Sequence, residues 1–176
     1  DNTLKIIKKN KRNFDVVLLS TNKNINKVIK QAKEFKVKNI IITDSNAYNK
    51  AKLKFKKTNI NFFNNFDNLK KILKNKNDFI MSSITGLNGL KPTLDSIKYT
   101  KNILIANKES IICGWNLISK ELKKNKTNFI PVDSEHFSIY SLLKNHKFQE
   151  VRKIFITASG GPFLNLPKKK FNNINI

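Results

Sequence analysis

Two carboxylates flank a serine at Asp133, Ser134 and Glu135, directly after the apolar run Phe129–Val132. The chain has only 12 Asp and Glu against 35 Lys and Arg, so each acidic residue is informative. Two carboxylates at a strand-to-helix turn can converge on Mg²⁺ or Mn²⁺, with water and substrate oxygens completing the shell. The structural alternative is that Asp133 or Ser134 caps the helix and that the carboxylates favour its dipole. Two ligands are not a full site, so both interpretations stay open from these residues alone.

A second polar segment, Asn107-Lys108-Glu109, follows another apolar strand. Ligands of open α/β sheets bind outside the carboxyl ends of the strands, where a lysine can meet a phosphate or a polarised oxygen. The alternative is a polar loop before a helix that begins at Ser110. Position alone favours neither.

A glycine turn with a serine, Thr157-Ala-Ser159-Gly-Gly-Pro-Phe163, follows the predicted strand Val151–Thr157. Such a turn can direct backbone N–H groups at an anion, and Ser159 adds a hydroxyl. A plain tight turn is the commoner use of Gly-Gly-Pro.

The loop Ser20–Asn24 follows the first predicted strand, where dinucleotide-binding domains often carry an acid for the adenosine ribose. This loop has no acid, and Lys23 with Asn24 could accept a 2′-phosphate, which favours NADP over NAD. The two histidines, His136 and His146, are too few for a histidine-rich metal site. We expect Cys113, the single cysteine, to be a small buried hydrophobic residue.

Short strands that alternate with helices carry these segments. Short apolar runs and helical spacings predict that alternation along the whole chain. The predicted strands are Phe14–Leu19, Asn39–Thr43, Ile60–Phe62, Asp78–Ser82, Asn102–Ala106, Phe129–Val132 and Val151–Thr157. The predicted helices are Thr3–Asn10, Ile25–Phe35, Asn46–Phe55, Phe66–Leu73, Pro92–Tyr99, Ser110–Leu122 and Ser134–Leu143. This order predicts an α/β fold with a Rossmann-like doubly wound parallel sheet.

The basic stretch Lys123–Thr127 resembles a surface connection, so we place a domain boundary near Lys126. Residues 1–126 are then one domain, and residues 127–176 begin a second. The chain contains no G-x-G-x-x-G motif. It begins where the helix after such a turn is expected, so the first strand and the glycine-rich turn are predicted to be absent.

The formal net charge of +23 taken alone suggests a polyanion partner. Lysine is interleaved with asparagine and isoleucine throughout, however, so we favour a compositional bias over a nucleic-acid site. No segment is long and apolar enough to span a membrane, and the N-terminus lacks the layout of a signal peptide. A cytoplasmic location is the expectation.

Taken in order, several segments resemble the 1-deoxy-D-xylulose 5-phosphate reductoisomerase family. The matching stretches span the chain and are Thr3-Leu4 with Phe14–Val17, Lys23-Asn24, Gly86–Thr93, Leu104–Ser110, Pro131–His136 and Thr157–Phe163. Asn-Lys-Glu-Ser, Val-Asp-Ser-Glu-His and Ser-Gly-Gly-Pro-Phe together are highly specific. The resemblance implies an NADPH-dependent enzyme of the non-mevalonate isoprenoid pathway. It also implies that residues 1–126 form a Rossmann-like NADPH-binding domain and that residues 127–176 are the start of an α+β catalytic domain. The enzyme converts 1-deoxy-D-xylulose 5-phosphate to 2-C-methyl-D-erythritol 4-phosphate by a metal-assisted rearrangement and a hydride reduction.

The resemblance also implies roles for individual residues. Asp133 and Glu135 would be two of three carboxylates that hold Mg²⁺ or Mn²⁺. The substrate contacts would be Lys108, Ser134, Glu135 and Ser159, with Lys108 near the reacting centre. The NADPH contacts would be Asn22, Lys23, Asn24, Asn107 and Glu109, where Asn22 replaces the family's usual glycine.

The family's third metal carboxylate, flexible lid and main phosphate-binding cluster find no match before Ile176. We therefore expect an interior fragment that is inactive alone, from a protein that the family suggests is a homodimer. Three alternatives remain: a different Rossmann-type oxidoreductase, a polyanion- or RNA-binding protein, and a decayed remnant. The first is weak because strand order alone does not generate the specific motifs.

Overall fold

Strands and helices alternate from the start of the chain to Pro131 in the computed structural model, which describes residues 2–155 and 165–173. The helices are α1 (Asn2–Lys9), α2 (Ile25–Glu34), α3 (Ser45–Lys54), α4 (Leu69–Ile72), α5 (Leu90–Ile97), α6 (Lys108–Asn125) and α7 (Ser134–Leu143). The strands are β1 (Leu18–Thr21), β2 (Asn39–Ile42), β3 (Asn61–Phe63), β4 (Asn77–Ser82), β5 (Thr100–Ile105) and β6 (Asn128–Pro131).

The described strands form two parallel sheets of three strands each, in the orders β1-β2-β3 and β4-β5-β6. Parallel strands need a crossover connection, and helices supply most of these connections here. The predicted α/β class with parallel strands is confirmed. The carboxyl ends of the paired strands therefore meet at one edge of each sheet.

Helices cover both faces of the first sheet. Ile40 and Ile42 of β2 are fully buried in a cluster with Val28 and Ile29 of α2 and Ala51 of α3. The residue between them, Ile41, is buried in a second cluster with Leu69 and Leu73, which also contacts Leu18 of β1 and Ile80 of β4. Burying each isoleucine side chain contributes about 1.5–3 kcal/mol, which explains why the apolar run Ile40–Ile42 identifies the strand.

The second sheet has its own core on the face that α5 and α6 cover. Ile103 and Ile105 of β5 are fully buried against Ile97, Ile111 and Ile118. Thr127, just before β6, has a buried hydroxyl that donates a shared hydrogen bond to two carbonyl oxygens. Its Oγ1 lies 2.9 Å from Ile97 O and 3.0 Å from Thr100 O. That hydroxyl fixes β6 beside β5.

Three helices are capped by an Asx residue that lies two or three positions beyond the end of a strand. Asn24, Asp44 and Asn107 accept hydrogen bonds from Lys27 N, Ala47 N and Ser110 N, at 3.1, 2.8 and 2.9 Å. A side-chain acceptor at this position satisfies one of the helix's unpaired N–H groups, which stabilises the helix by about 1 kcal/mol. The strand-to-helix turns at the carboxyl edge are thus fixed by short side chains.

The structure differs from the predicted elements at several points. The first strand was expected at Phe14–Leu19 and lies at Leu18–Thr21, because the ladder with β2 begins only at the Leu18↔Asn39 pair. Residues 151–155 form no strand with any described segment, so that part of the prediction Val151–Thr157 is wrong. Its last two residues lie outside the described part of the chain.

The prediction for Cys113 is wrong, since this residue is exposed. Buried residues of α6 recur at Ile111, Gly114 and Ile118, and Cys113 lies on another side of the helix. The position of a residue on the helix decides its burial here, and the general tendency of cysteine to be buried does not.

Two compact units make up the chain, Asp1–Asp133 and Ser134–Ile176. Because β6 pairs with β5, strand Asn128–Pro131 belongs to the first unit. The second unit contains α7, none of whose residues is buried, and two 3₁₀ turns at Phe148–Glu150 and Lys168–Asn173. The predicted boundary near Lys126 stays a prediction about the domains of the whole protein. No helix in the described ranges is both long and apolar enough to cross a bilayer.

Candidate functional site

The loop after β1 is tied to the loop after β2. Asn22 Nδ2 donates to Thr43 Oγ1 at 2.8 Å, and the backbone N–H groups of Thr43 and Asp44 donate to the carbonyls of Thr21 and Asn22. Among the described residues only Lys36 and Lys126 are non-glycine positions with positive φ. Asn22, where the resemblance expects a glycine, therefore has no left-handed backbone strain, and its side chain forms a hydrogen bond between the two loops that glycine cannot make.

Lys23 is the exposed cation of this loop and pairs with Asp44. Its side chain is 75% exposed, and its Nζ lies 3.8 Å from Asp44 Oδ2. The neighbouring Asn24 uses its side-chain oxygen to cap α2. Lys23 thus lies next to the N-termini of α2 and α3, whose dipoles also favour anions. A cation beside two helix N-termini suits a phosphate group. The sequence alone did not indicate that Asp44 pairs with Lys23 or that Thr43 accepts a hydrogen bond from Asn22.

Asn107 joins two loops at the carboxyl edge of the second sheet. It is only 3% exposed, and its Oδ1 caps α6 through Ser110 N. Its Nδ2 donates to the carbonyls of Ile84 and Gly86, the latter at 2.8 Å. The side-chain amide therefore uses both of its N–H donors within the protein. It clamps the loop after β4 onto the helix that begins after β5.

Gly89 permits this close approach. A Cβ at Gly89 would overlap both Asn107 Nδ2 and the Ile84 carbonyl. The buried pair Ser82 and Thr93 supports the same loop, with 2.6 Å between the hydroxyl oxygens, and Thr93 Oγ1 donates onward to Gly89 O at 2.6 Å. The family-like stretch Gly86–Thr93 contained this support in the sequence, although its physical role was not evident there.

Lys108 and Glu109 form the exposed first turn of α6, and Ser110 behind them is fully buried. Ser110 Oγ has no hydrogen-bond partner among the described residues. Lys108 and Glu109 thus stand at the outer surface of the carboxyl edge, where a ligand can reach them.

Asp133 follows β6 as Asn107 follows β5. Ile105 and Pro131 are register partners, so Asn107 and Asp133 each lie two residues beyond the same pair on neighbouring strands. The structure therefore brings the Asn107–Glu109 segment and the predicted metal ligand Asp133 to one edge. The sequence did not predict this juxtaposition, because it assigned the strand before Asp133 to a second domain, whereas β6 pairs with β5 in one sheet.

Ser134 and Glu135 belong to the second unit and open α7. Ser134 Oγ donates to Glu135 Oε2 at 2.7 Å, and Ser134 O accepts from Ser138 Oγ at 2.6 Å. Within the described ranges, no group of three or more His, Cys, Asp or Glu could hold a metal ion. The hard oxygen donors of Asp133 and Glu135 nevertheless have the chemistry that Mg²⁺ and Mn²⁺ prefer. Ser159 lies outside the described residues.

The comparisons with known proteins agree on one family. Residues 1–114 match the family model described as 1-deoxy-D-xylulose 5-phosphate reductoisomerase, and residues 129–176 match the model of that enzyme's C-terminal domain. Curated relatives with this name include those of Pelagibacter ubique, 59% identical, and Clostridium kluyveri, 35% identical, each over 98% of this chain. The chain spans just under half the length of these relatives, 45% and 46%.

Solved structures support the same assignment. The reductoisomerase of Zymomonas mobilis in complex with NADPH is 33% identical with a TM-score of 0.83, over 94% of this chain and 44% of that protein. A reductoisomerase in complex with NADPH, fosmidomycin and magnesium is 28% identical with a TM-score of 0.79, over 98% of this chain and 45% of that protein. The fold of the matched region is therefore shared with these enzymes.

Proposed function

Because the chain belongs to the 1-deoxy-D-xylulose 5-phosphate reductoisomerase family, we propose that it is part of an NADPH-dependent enzyme converting 1-deoxy-D-xylulose 5-phosphate to 2-C-methyl-D-erythritol 4-phosphate. The observation that carries the proposal is the juxtaposition of Asn107–Glu109 with Asp133 beyond the β5–β6 pair. A phosphorylated substrate of this kind needs cations and a hard-metal site at one edge, and both residue types lie there.

The nucleotide would be held by the loops after β1 and β5. Lys23, exposed near the starts of α2 and α3, is the natural partner of the 2′-phosphate that distinguishes NADPH from NADH. Glu109 is exposed to solvent in the first turn of α6. The Asn107 side chain instead forms hydrogen bonds within the protein, to the loop after β4 and to the start of α6. We therefore assign to Asn22, Asn24 and Asn107 the shaping of the nucleotide loops. Bound NADPH would supply the hydride for the reduction.

The metal would be held by Asp133 and Glu135 with a further ligand from elsewhere in the whole protein. A divalent ion there supplies Lewis acidity and orients the substrate's oxygens. Lys108 would hold substrate oxygens beside it, and Ser134 would orient the Glu135 carboxylate through its 2.7 Å bond. Ser159 would contact the substrate through its hydroxyl group.

The same proposal includes the whole protein's setting. We place it in the cytoplasm, as a homodimer, without a nucleic-acid partner. We also propose that the 176-residue chain is inactive by itself, because it spans under half of the length of its relatives.

The test uses the endogenous protein from the source organism. We expect an intact mass well above that of 176 residues and NADPH oxidation that requires 1-deoxy-D-xylulose 5-phosphate and Mn²⁺ or Mg²⁺. Asp133→Asn should lower kcat by at least about a hundredfold, because losing a metal ligand removes several kcal/mol of transition-state stabilisation.

Asp78→Asn is the matched control. Asp78 lies near the start of β4, at the amino edge of the same sheet, where it pairs with Lys101 at 2.8 Å. Its substitution should leave kcat within about twofold, since surface ion pairs contribute little. Equal activity of the Asp133→Asn protein and the wild type would contradict the proposal.

A further inference from the structure

A groove of about 360 Å³ opens between the end of α3 and strand β3. Its lining contains the half-buried apolar side chains of Phe55, Ile60 and Phe62. This volume lies within the range of about 300–1,000 Å³ that small-molecule sites occupy. The groove is thus large enough for one small organic molecule.

Aromatic rings give the groove a defined shape. Phe55 and Phe62 lie with their ring centroids 6.5 Å apart and their planes tilted by 35°. Both also pack against the buried core of the first sheet, which holds them in place. Aromatic pairs at such separations contribute binding surface of fixed geometry. A ring or a branched alkyl group can therefore lie against them.

Two exposed lysines, Lys52 and Lys56, complete the lining of the groove. Neither forms an ion pair with an acidic residue in the described part of the chain. The sequence from Ser45 to Phe66 contains five lysines and no Asp or Glu. Lys52 Nζ instead lies 5.9 Å from the centroid of the Tyr48 ring, on the same helix. The charge at the groove is therefore uniformly positive.

The groove is separate from the residues of the proposed active site. It lies at the end of α3 and along β3, the outer strand of its sheet. Lys23 instead approaches Asp44 at the beginning of α3, beyond the carboxyl end of β1. None of the lining residues belongs to the nucleotide, substrate or metal positions assigned above.

We propose that this groove binds a small amphiphilic organic anion. An aromatic or branched aliphatic body would lie against Phe55, Ile60 and Phe62, and a phosphate, sulfonate or carboxylate group would bind Lys52 and Lys56. Because the adjacent strand has only three residues, an open groove of this volume suits a single small molecule better than an added peptide strand. This inference goes beyond the proposed function and does not depend on it.

The experiment titrates the 176-residue chain with 8-anilinonaphthalene-1-sulfonate and maps the site by amide chemical shifts. We expect the shift changes to cluster at residues 52–63. The double substitution Lys52→Gln and Lys56→Gln keeps the aliphatic stems of both side chains. It should raise the dissociation constant at least tenfold, because it removes two charge-assisted contacts. The neutral analogue N-phenyl-1-naphthylamine should bind the wild type at least tenfold more weakly than the sulfonate.

The matched control is Lys50→Gln with Lys70→Gln, which removes the same charge at exposed positions outside the groove. Its dissociation constant should stay within twofold of the wild type. Shift changes centred on another surface, equal weakening in both double variants, or equal binding of the neutral analogue would each overturn the proposal. Preferential binding of acidic peptides, seen as new protection of the Phe62 amide, would also overturn it.

Discussion

At the residue scale, the asparagines of the candidate site hold its loops and helix ends in place. Asn107 holds α6 through its oxygen and the loop after β4 through its nitrogen. Asn107→Ser keeps an N-cap but leaves the Ile84 and Gly86 carbonyls without that donor. We expect the free energy of unfolding to fall by about 1–3 kcal/mol, measured by urea denaturation. Ser83→Ala, at an exposed position before the loop, should change it by less than about 0.5 kcal/mol.

Gly89 tests the same contact from the other side. Gly89→Ala places a methyl group against Asn107 Nδ2 and the Ile84 carbonyl. Because the backbone carbonyl and the hydrogen-bonded amide cannot move away easily, we expect the free energy of unfolding to fall by about 2 kcal/mol. Asn88→Ala, exposed in the same turn, is the control and should be nearly neutral. A Gly89→Ala protein as stable as the Asn88→Ala protein would show that the loop adjusts freely.

These residues also show what sequence reasoning can and cannot supply. Asn24 and Asn107 follow strands and precede helices. At such a position an asparagine is equally consistent with a ligand contact and with a helix cap. Only coordinates show which atoms the side chain contacts, and here both cap helices. Cys113 illustrates the opposite error, because its position on α6 carried more information than its residue type.

At the element scale, α6 ends at a lysine in the left-handed conformation. Lys126 has φ 50°, and its N–H donates to the carbonyls of Leu122 and Lys123. Glycine adopts this conformation without steric cost, so Lys126→Gly should raise the free energy of unfolding by about 0.5–1 kcal/mol. Lys124→Gly, within the last turn, should lower it by about 1 kcal/mol. Denaturant midpoints of the two variants that move in the same direction would contradict this account.

The docking of α1 onto α2 is expected to depend on pH. A hydrogen bond from Lys8, 2.6 Å from the Glu34 carboxylate, lowers the pKa of Glu34 below its usual value. A lowered pKa stabilises the fold above the unfolded-state value of about 4.3, and that contribution is lost as the pH falls through the folded-state pKa.

Glu34→Gln should therefore lower the melting temperature slightly at pH 7 and have no effect well below the folded-state pKa of Glu34. The difference should also shrink in salt, because the pair is exposed. Calorimetry of both proteins across the acid range measures this, and a constant difference at every pH would refute it.

Most elements could be predicted because their signals are local. The run Ile40–Ile42 and the spacing of Val28, Ile29 and Ala32 identify a buried strand and a helix face directly. The start of β1 could not be placed, since Phe14–Val17 is as apolar as β1 and only the partner strand decides where the ladder begins. Strand boundaries depend on pairing between distant residues, which one sequence does not display.

At the scale of the whole molecule, the net charge of +23 makes nonspecific attraction to polyanions unavoidable. We expect RNA binding that is independent of sequence and whose affinity falls steeply and log-linearly with salt. Filter binding at several salt concentrations checks this. Sequence-selective binding that persists at physiological salt and is lost when one lysine cluster is neutralised would instead favour the polyanion-binding alternative.

Each sheet is built from one continuous stretch of chain. The first uses residues 18–63 and the second residues 77–131, and the Ile41, Leu69 and Leu73 cluster joins them. During synthesis the first sheet can therefore assemble before the second has left the ribosome. Hydrogen exchange should accordingly reveal two cooperative units within residues 2–133, with the joining cluster forming last.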